Sequence, residues 1–396
     1  MVLHFTSFYL VHLKSESMTD GTSDIISNAA STTSVSVGQT IAVFFRNLSL
    51  LAPGVVILFA LSGFLAAASM KSMMENNSNS AIHSQLPFPN NNKYTFTWNQ
   101  RFSFLKKKCL RIYPQLWFAT ILNLILLFIV TPSRIDRSIL PWILAQLVGI
   151  AYTPAAFKDF ATGSLNGTLW TIFVQLQLFV IGTLVYPIIA QPLAKPQAQP
   201  QISGADAYNT KTNRVRNKIT SIGVLLFVAA IANVICKVTT SSSSLFSIQL
   251  PGYVNKAIER SFVPYFIWFL IGMIVFEYKD RLIPILTRFW LIGLIVLIGI
   301  SCLLIPDYGY YCGIITGILT PLITLGLGYC LPSKRLPDIT YEMFLLHWPI
   351  LNVIIYYDLY SKINCGVLFV GFLGVTIVLS IIGKCFLSQI TNTKSN

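Results

Sequence analysis

Apolar stretches of about 20 residues recur from one end of this chain to the other, and each is about long enough to cross a bilayer core of about 30 Å as a helix. Inside hydrocarbon every backbone N–H and C=O must find its partner within the protein, which leaves helices as the economical solution for separate runs of this length. The polar residues between them are too few for a water-soluble domain: 11% of the chain is charged and 54% hydrophobic, where a soluble domain carries about 25% charged residues. The expected fold is therefore all-α, a polytopic integral membrane protein, with residues 1–396 forming one membrane domain.

Read as helices, the apolar segments are 1–12, 49–70, 110–131, 139–153, 168–191, 218–236, 262–277, 289–305, 310–331, 339–360 and 366–388. The segment 139–153, with Pro141 and Pro154 at its ends, is short for a crossing and fits a re-entrant or interfacial segment. Charge supports that choice. The 28 Lys and Arg behind the net charge of +14 fall mostly in short connections, where a positive-inside bias puts them, so they speak for topology and not for nucleic acid. Basic connections occur at 71–108 (Lys71, Lys93, Arg101, Lys106, Lys107, Lys108) and 192–218 (Lys195, Lys211, Arg214, Arg216, Lys218), and at two turns carrying Lys279 with Arg281 and Lys334 with Arg335. All four share the cytoplasmic side only if 139–153 does not cross. That gives ten crossings in the cell (inner) membrane with both termini cytoplasmic.

Outside then lie 15–40, 132–138, 237–260 and the turns near Asp307 and Asp358. The Asn-rich stretch 76–92 and the Pro/Gln-rich stretch 192–201 have no helical pattern and read as flexible connections. Only about 11 apolar residues precede Lys14, or about 17 Å of helix, so the first crossing is expected either to begin upstream of a misassigned start or to be truncated. No cleavable signal peptide is expected, since this run holds His4 and His12 and passes into Lys14 without a small-residue cleavage site. The seven cysteines have no CxxC spacing and read as small core residues, not as a disulfide framework or metal site.

An ionisable side chain inside an apolar span is costly and marks a candidate functional site. His4, in the run MVLHF, and His347, about 12 Å in from one end of the run YEMFLLHWPI, are the two such histidines. Each reads equally well as a neutral imidazole bonding neighbouring helices, but imidazole also suits removal of a proton from a hydroxyl near neutral pH. His12 and His83 read as interfacial or loop residues. In FLKKKCLRIYP, residues 104–114, Lys106, Lys107, Lys108 and Arg111 gather at the cytoplasmic entrance of a crossing, with Lys108 and Arg111 on one face. The bland reading is cations snorkelling to headgroups; the sharper one is a clamp for a phosphorylated cofactor. LFALSGFL, residues 58–65, with Ser62 and Gly63, and FLIGM, residues 269–273, suit close helix packing. LWTIFVQLQLF, residues 169–179, places Trp170, Thr171, Gln175 and Gln177 in a span, where interfacial anchoring and interhelical amide bonds are the plain reading.

In order along the chain, VLHF, GVVILFALSGFL, KKKCLRIYP, LWTIFVQLQLF, WFLIGM and YEMFLLHWPI resemble the acyltransferase 3 family of integral membrane O-acyltransferases of cell-surface glycans, from residue 2 to about 388. The resemblance implies about ten helices, with acyl-CoA as the cytoplasmic donor, no permanently bound cofactor, and an acyl group, commonly acetyl, passing to a hydroxyl of a polysaccharide or lipid-linked sugar. It implies His4 as the essential histidine, a general base or an acyl shuttle, with His347 supporting it. It further implies Lys107, Lys108 and Arg111 at the CoA phosphates and Ser62, Trp170 and Gln175 lining the site. Lys108 stands where the family usually has arginine and Gln175 where it has glutamate. The implied partners are acyl-CoA, the glycan acceptor and membrane lipids; no metal and no nucleic acid is expected. A truncated inactive relative and a small-solute transporter are the competing readings, the second weakened by the absence of an evident repeat between the halves.

Overall fold

The computed structural model describes residues 1, 4–11, 40, 42–46, 53–83, 96–131, 136–148, 150, 152–154, 157–158, 160–190, 204–240, 251–303, 314–331 and 339–392, with side chains described except in 77–83, 204–215, 237–240, 252, 301–303, 314 and 387–392. Among the described residues all regular structure is helical, with no strand. Besides a helical stretch at 42–46 and a 3-10 helix at Val263–Tyr265, the described helices in chain order are α1 (4–11), α2 (Gly54–His83), α3 (Trp98–Val130), α4 (Ile139–Val148), α5 (Leu169–Ile189), α6 (Gly204–Thr240), α7 (Gly252–Glu259), α8 (Phe266–Glu277), α9 (Lys279–Leu303), α10 (Ile314–Cys330), α11 (Thr340–Tyr356), α12 (Leu359–Lys362) and α13 (Cys365–Asn392). Among the described residues seven helical stretches are long and apolar enough to cross a membrane: Gly54–Asn76, Trp98–Val130, Leu169–Ile189, Arg216–Cys236, Tyr253–Glu277, Lys279–Ile300 and Cys365–Phe386. α10 and α11, of 17 residues each, and α4, of 10, are shorter. Large apolar side chains face outward along α3 (Ile121, Ile125, Phe128, Ile129), α6 (Val224, Phe227, Val228) and α9 (Leu291, Ile292, Ile295), a surface that lipid tails solvate and water does not.

Several helices outrun the apolar segments, which corrects the sequence reading. α2 continues to His83 where 76–92 was expected to be a flexible connection, α6 starts at Gly204 and not at 218, α9 starts at Lys279 and not at 289, and α7 lies within the expected loop 237–260. An apolar window marks the part of a helix that lies in hydrocarbon, whereas the backbone stays helical wherever propensity and caps allow. α3 shows the cause: it starts at Trp98 and not at 110 because Thr97 and Gln100 form a reciprocal cap, the Thr97 N–H donating to Gln100 Oε1 at 2.8 Å and the Gln100 N–H to Thr97 Oγ1 at 3.4 Å. The stretches 15–39, 191–203 and 304–313, His12, and the turn with Lys334 and Arg335 lie outside the described residues, as does the His83 side chain.

The chain divides into two compact units, the first comprising 1–52, 110–173 and 334–396 and the second 53–109 and 174–333. In the first, Phe5 of α1 is buried against Tyr360, Phe369 and Phe372, with ring centroids 5.2 to 5.4 Å apart, and the Tyr360 hydroxyl donates to the Phe5 carbonyl at 3.2 Å. Leu127, Ile139, Trp142, Phe157, Phe160 and Leu165 form a second cluster that anchors α4 and the chain following it. Ten residues of helix rise only about 15 Å, too little to cross. The α4 C-terminal carbonyls, which a helix leaves unpaired, accept hydrogen bonds from α3: Val148 O from the Tyr113 hydroxyl at 3.1 Å and Leu147 O from Trp117 Nε1 at 3.4 Å.

In the second unit α2 and α8 are in backbone contact. A Cβ on Gly63 would lie 2.0 Å from Phe269 O, and one on Gly272 1.9 Å from Ala60 O, so LSGFL and FLIGM are the two halves of one small-residue seam. A buried carboxylate ties the helix ends: Tyr186 of α5 donates its hydroxyl to Glu277 Oε1 at 2.6 Å, and Lys71 Nζ lies 3.9 Å from Glu277 Oε2. Tyr186→Phe removes this donor from a carboxylate that stays buried, and is expected to cost about 1–3 kcal/mol, read as a lower thermal midpoint of the detergent-extracted protein. An unchanged midpoint would show that other partners hold Glu277 alone.

Candidate active site

Two histidines from opposite ends of the sequence meet in the first unit. His4 of α1 and His347 of α11 have ring centroids 5.7 Å apart and planes inclined at 19°, and Trp348 meets His4 edge-on, at 4.8 Å and 70°. His4 is half-buried, whereas His347 is 1% exposed. His347 Nδ1 lies 3.1 Å from the carbonyl oxygen of Met343. A carbonyl only accepts, so Nδ1 carries the proton and Nε2 the lone pair. That Nε2 is buried and has no hydrogen-bond partner among the described residues.

The helix that carries His347 is interrupted chemically and repaired by the loop before α5. Pro349 lacks the N–H that would bond the Leu345 carbonyl four residues back, and Asn166 Nδ2 donates to that carbonyl at 2.9 Å. The accounting that buried backbone groups require is thus closed from outside the helix. Asn166 is itself held by the Thr168 N–H, at 3.1 Å, and the Thr168 hydroxyl, at 2.6 Å, both donating to its Oδ1. Further along α11, Asn352 Nδ2 donates to Ser164 O and Leu165 O, each at 3.0 Å, while its Oδ1 accepts from the Thr162 hydroxyl at 2.7 Å and the Thr162 N–H at 3.3 Å. Trp348 Nε1 donates to Thr162 Oγ1 at 2.9 Å and to Ser164 O at 3.2 Å. The loop reaches these partners through two left-handed residues, Ala161 (φ 48°) and Gly163 (φ 75°).

Near the start of α11, Gln115 Nε2 donates to Glu342 Oε1 at 2.7 Å. Arg111, four residues before Gln115 on α3 and exposed, lies with Glu342 within electrostatic reach of Tyr341. Trp170 is half-buried in the first turn of α5. The remaining sequence-derived candidates belong to the second unit. Lys107 is exposed, and Lys108 places Nζ over two rings, 5.3 Å from the Phe104 centroid and 5.4 Å from that of Phe179, a cation–π setting. Gln175 Nε2 donates to Ser62 Oγ at 2.8 Å, joining α5 to α2. A glutamate there would offer only acceptors once ionised, so the amide suits a hydroxyl used as acceptor.

Sequence reading therefore placed both histidines and passed over the groups around them. Trp348, Asn352, Thr162 and Asn166 were not singled out, although an asparagine inside an apolar run and a mid-helix proline, which orphans a carbonyl, are both visible signals. Among the described residues no group of three His, Cys, Asp or Glu is placed to hold a metal ion, and Cys109, Cys236, Cys330, Cys365 and Cys385 are free thiols.

A family model described as an acyltransferase domain matches residues 22–386. The match includes residues of both units and every candidate except His4. No curated protein and no solved structure matches the chain.

Proposed function

The chain belongs to this acyltransferase family, whose members transfer acyl groups other than amino-acyl groups, and on that footing we propose that it moves an acetyl or other acyl group from cytoplasmic acyl-CoA to a hydroxyl of a cell-surface or lipid-linked glycan. The observation that carries this reading is the imidazole pair in the first unit, with one ring fixed in a single tautomer. Acyl transfer to a hydroxyl needs a group to take the hydroxyl proton as the oxygen attacks the thioester carbonyl, and a group to return a proton to the leaving sulfur. His4, the half-buried ring, is the base: it takes the hydroxyl proton, the C–O bond forms, the C–S bond breaks, and the same proton passes to the thiolate to give CoA thiol and the ester. His347, buried beside it with Nε2 unprotonated, supplies a fixed acceptor next to that proton and supports the site.

Lys107, Lys108 and Arg111 all lie on α3 and are assigned to the phosphates of the donor. Ser62, Trp170 and Gln175 are assigned to the lining of the site. The setting is the cell (inner) membrane with about ten crossings and both termini cytoplasmic, which puts the basic start of α3 on the side of soluble acyl-CoA. Lys108→Gln and Arg111→Gln are each expected to raise KM for acetyl-CoA about tenfold, the equivalent of one charge-assisted hydrogen bond, with little change in kcat. Steady-state rates in membranes give both constants. Equal KM values for variants and parent would assign these cations to lipid headgroups.

The test of the reaction itself uses membranes holding the full chain and acetyl-CoA labelled in the acetyl group. Alkali-labile label in the glycan fraction is the expected result. In glycan-bearing membranes, label that appears only as free acetate would overturn the proposed acceptor, and label that stays in CoA would favour an inactive relative.

A further inference from the structure

We propose that residues 160–168 are a positioning strap: by fixing the ring of Trp348 they fix the orientation of His4, so that Thr162, Asn352 and Gly167 act on the reaction without touching a substrate. The inference rests on the reading of His4 as base.

Three observations carry it. First, the amide of Asn352 has one possible orientation. Its nitrogen donates to two carbonyls, Ser164 O and Leu165 O, and its oxygen accepts from a hydroxyl and an N–H of Thr162; exchanging the two ends would set acceptor against acceptor at both carbonyls and donor against donor at the Thr162 N–H. Second, the same Thr162 hydroxyl and the same Ser164 carbonyl accept from Trp348 Nε1, and Asn352 lies one turn beyond Trp348 on the same face of α11. The indole is thereby pinned at its polar end. Third, the loop backbone closes on the six-membered part of the indole. A Cβ on Gly167 would lie 2.3 Å from Trp348 Cζ2, a separation no side chain tolerates, so only glycine lets the strap approach this closely.

The pinned indole meets His4 edge-to-face at 4.8 Å, the closer of the two ring contacts recorded for His4 and a geometry that aromatic quadrupoles favour. The His4 ring is half-buried, so its orientation depends on what packs around it. A strap residue that moves the indole moves the base, and a displacement of about 1 Å at a reacting group costs about 100-fold in rate.

The experiment compares Thr162→Val, Thr162→Ser, Trp348→Phe, Gly167→Ala and His4→Ala in the full chain, in membranes, with acetyl-CoA as donor and rates expressed per mole of protein that survives detergent extraction as a single species. Thr162→Val and Trp348→Phe each remove one member of the pinning bond, the first at nearly constant volume, whereas Gly167→Ala shifts the indole with every hydrogen-bonding group intact. The expected result is a kcat lowered about tenfold to 100-fold in all three, an unchanged KM for acetyl-CoA, a displaced acid limb of the pH–rate profile, and recovery in Thr162→Ser, which keeps the hydroxyl. A merely structural role would lower the yield of extractable protein and leave kcat and the pH limb per mole where they were, and that outcome overturns the proposal. His4→Ala separates the two levels of the account. If it abolishes transfer while the strap variants match the parent, the strap falls and the base stands; if it leaves transfer intact, the base falls, and the strap falls with it.

Discussion

Replacing His347 is expected to lower acyl transfer about 10²- to 10⁴-fold, the usual worth of a positioned acid–base group. The substitution has to separate chemistry from packing, because the ring is 1% exposed and its removal leaves a cavity. His347→Phe serves this purpose: it refills the space and discards both nitrogens. Losing the Nδ1–H leaves the Met343 carbonyl with its own helical partner, so the stability cost is expected to stay near 1 kcal/mol. Rate per mole of extracted protein and thermal midpoint are measured together. Near-normal midpoint with the rate lost is the expected pair; near-normal rate would make His347 a packing histidine.

The second large effect is on folding. Gly272→Val is expected to destabilise the second unit by about 3 kcal/mol or more, at the upper end of overpacking costs, because the new Cβ meets backbone and not a yielding side chain: Ala60 O at 1.9 Å, Ala60 C at 2.8 Å and Phe64 N at 2.9 Å. Gly63→Val meets Phe269 O at 2.0 Å from the opposite helix and is expected to behave alike, since both open the same α2–α8 seam. Gly371→Ala on α13, whose Cβ meets nothing within 4 Å, is expected to do the reverse and stabilise by about 0.5–1 kcal/mol through helix propensity alone. Yield in membranes and the thermal midpoint in detergent read all three. A Gly272→Val protein that melts like its parent would contradict the seam.

Helical class and membrane residence were legible in the sequence because the bilayer imposes a length on each apolar run. Helix ends were not: the Thr97–Gln100 cap lies outside the apolar window 110–131, and so does the polar half of α2 beyond Met70. The shortness of 139–153 was legible from its prolines, whereas the Tyr113 and Trp117 hydrogen bonds that hold α4 join residues about 30 apart and carry no local pattern. For the site, the cost of an imidazole in hydrocarbon singled out His4 and His347 separately. Their meeting is a contact across 343 residues of sequence, and only the fold supplies it. The strap is a similar case, since Thr162 and Asn166 read as ordinary loop residues until the carbonyl orphaned by Pro349 and the indole of Trp348 are brought to them.

The most direct test of the account is the rate of labelled-acetyl transfer from acetyl-CoA to glycan by membranes carrying equal amounts of the full chain and of its His4→Ala variant. The account expects alkali-labile label with the full chain and a rate at least about 100-fold lower in the variant. Equal rates in the two would contradict it, since the base would then lie elsewhere in the molecule.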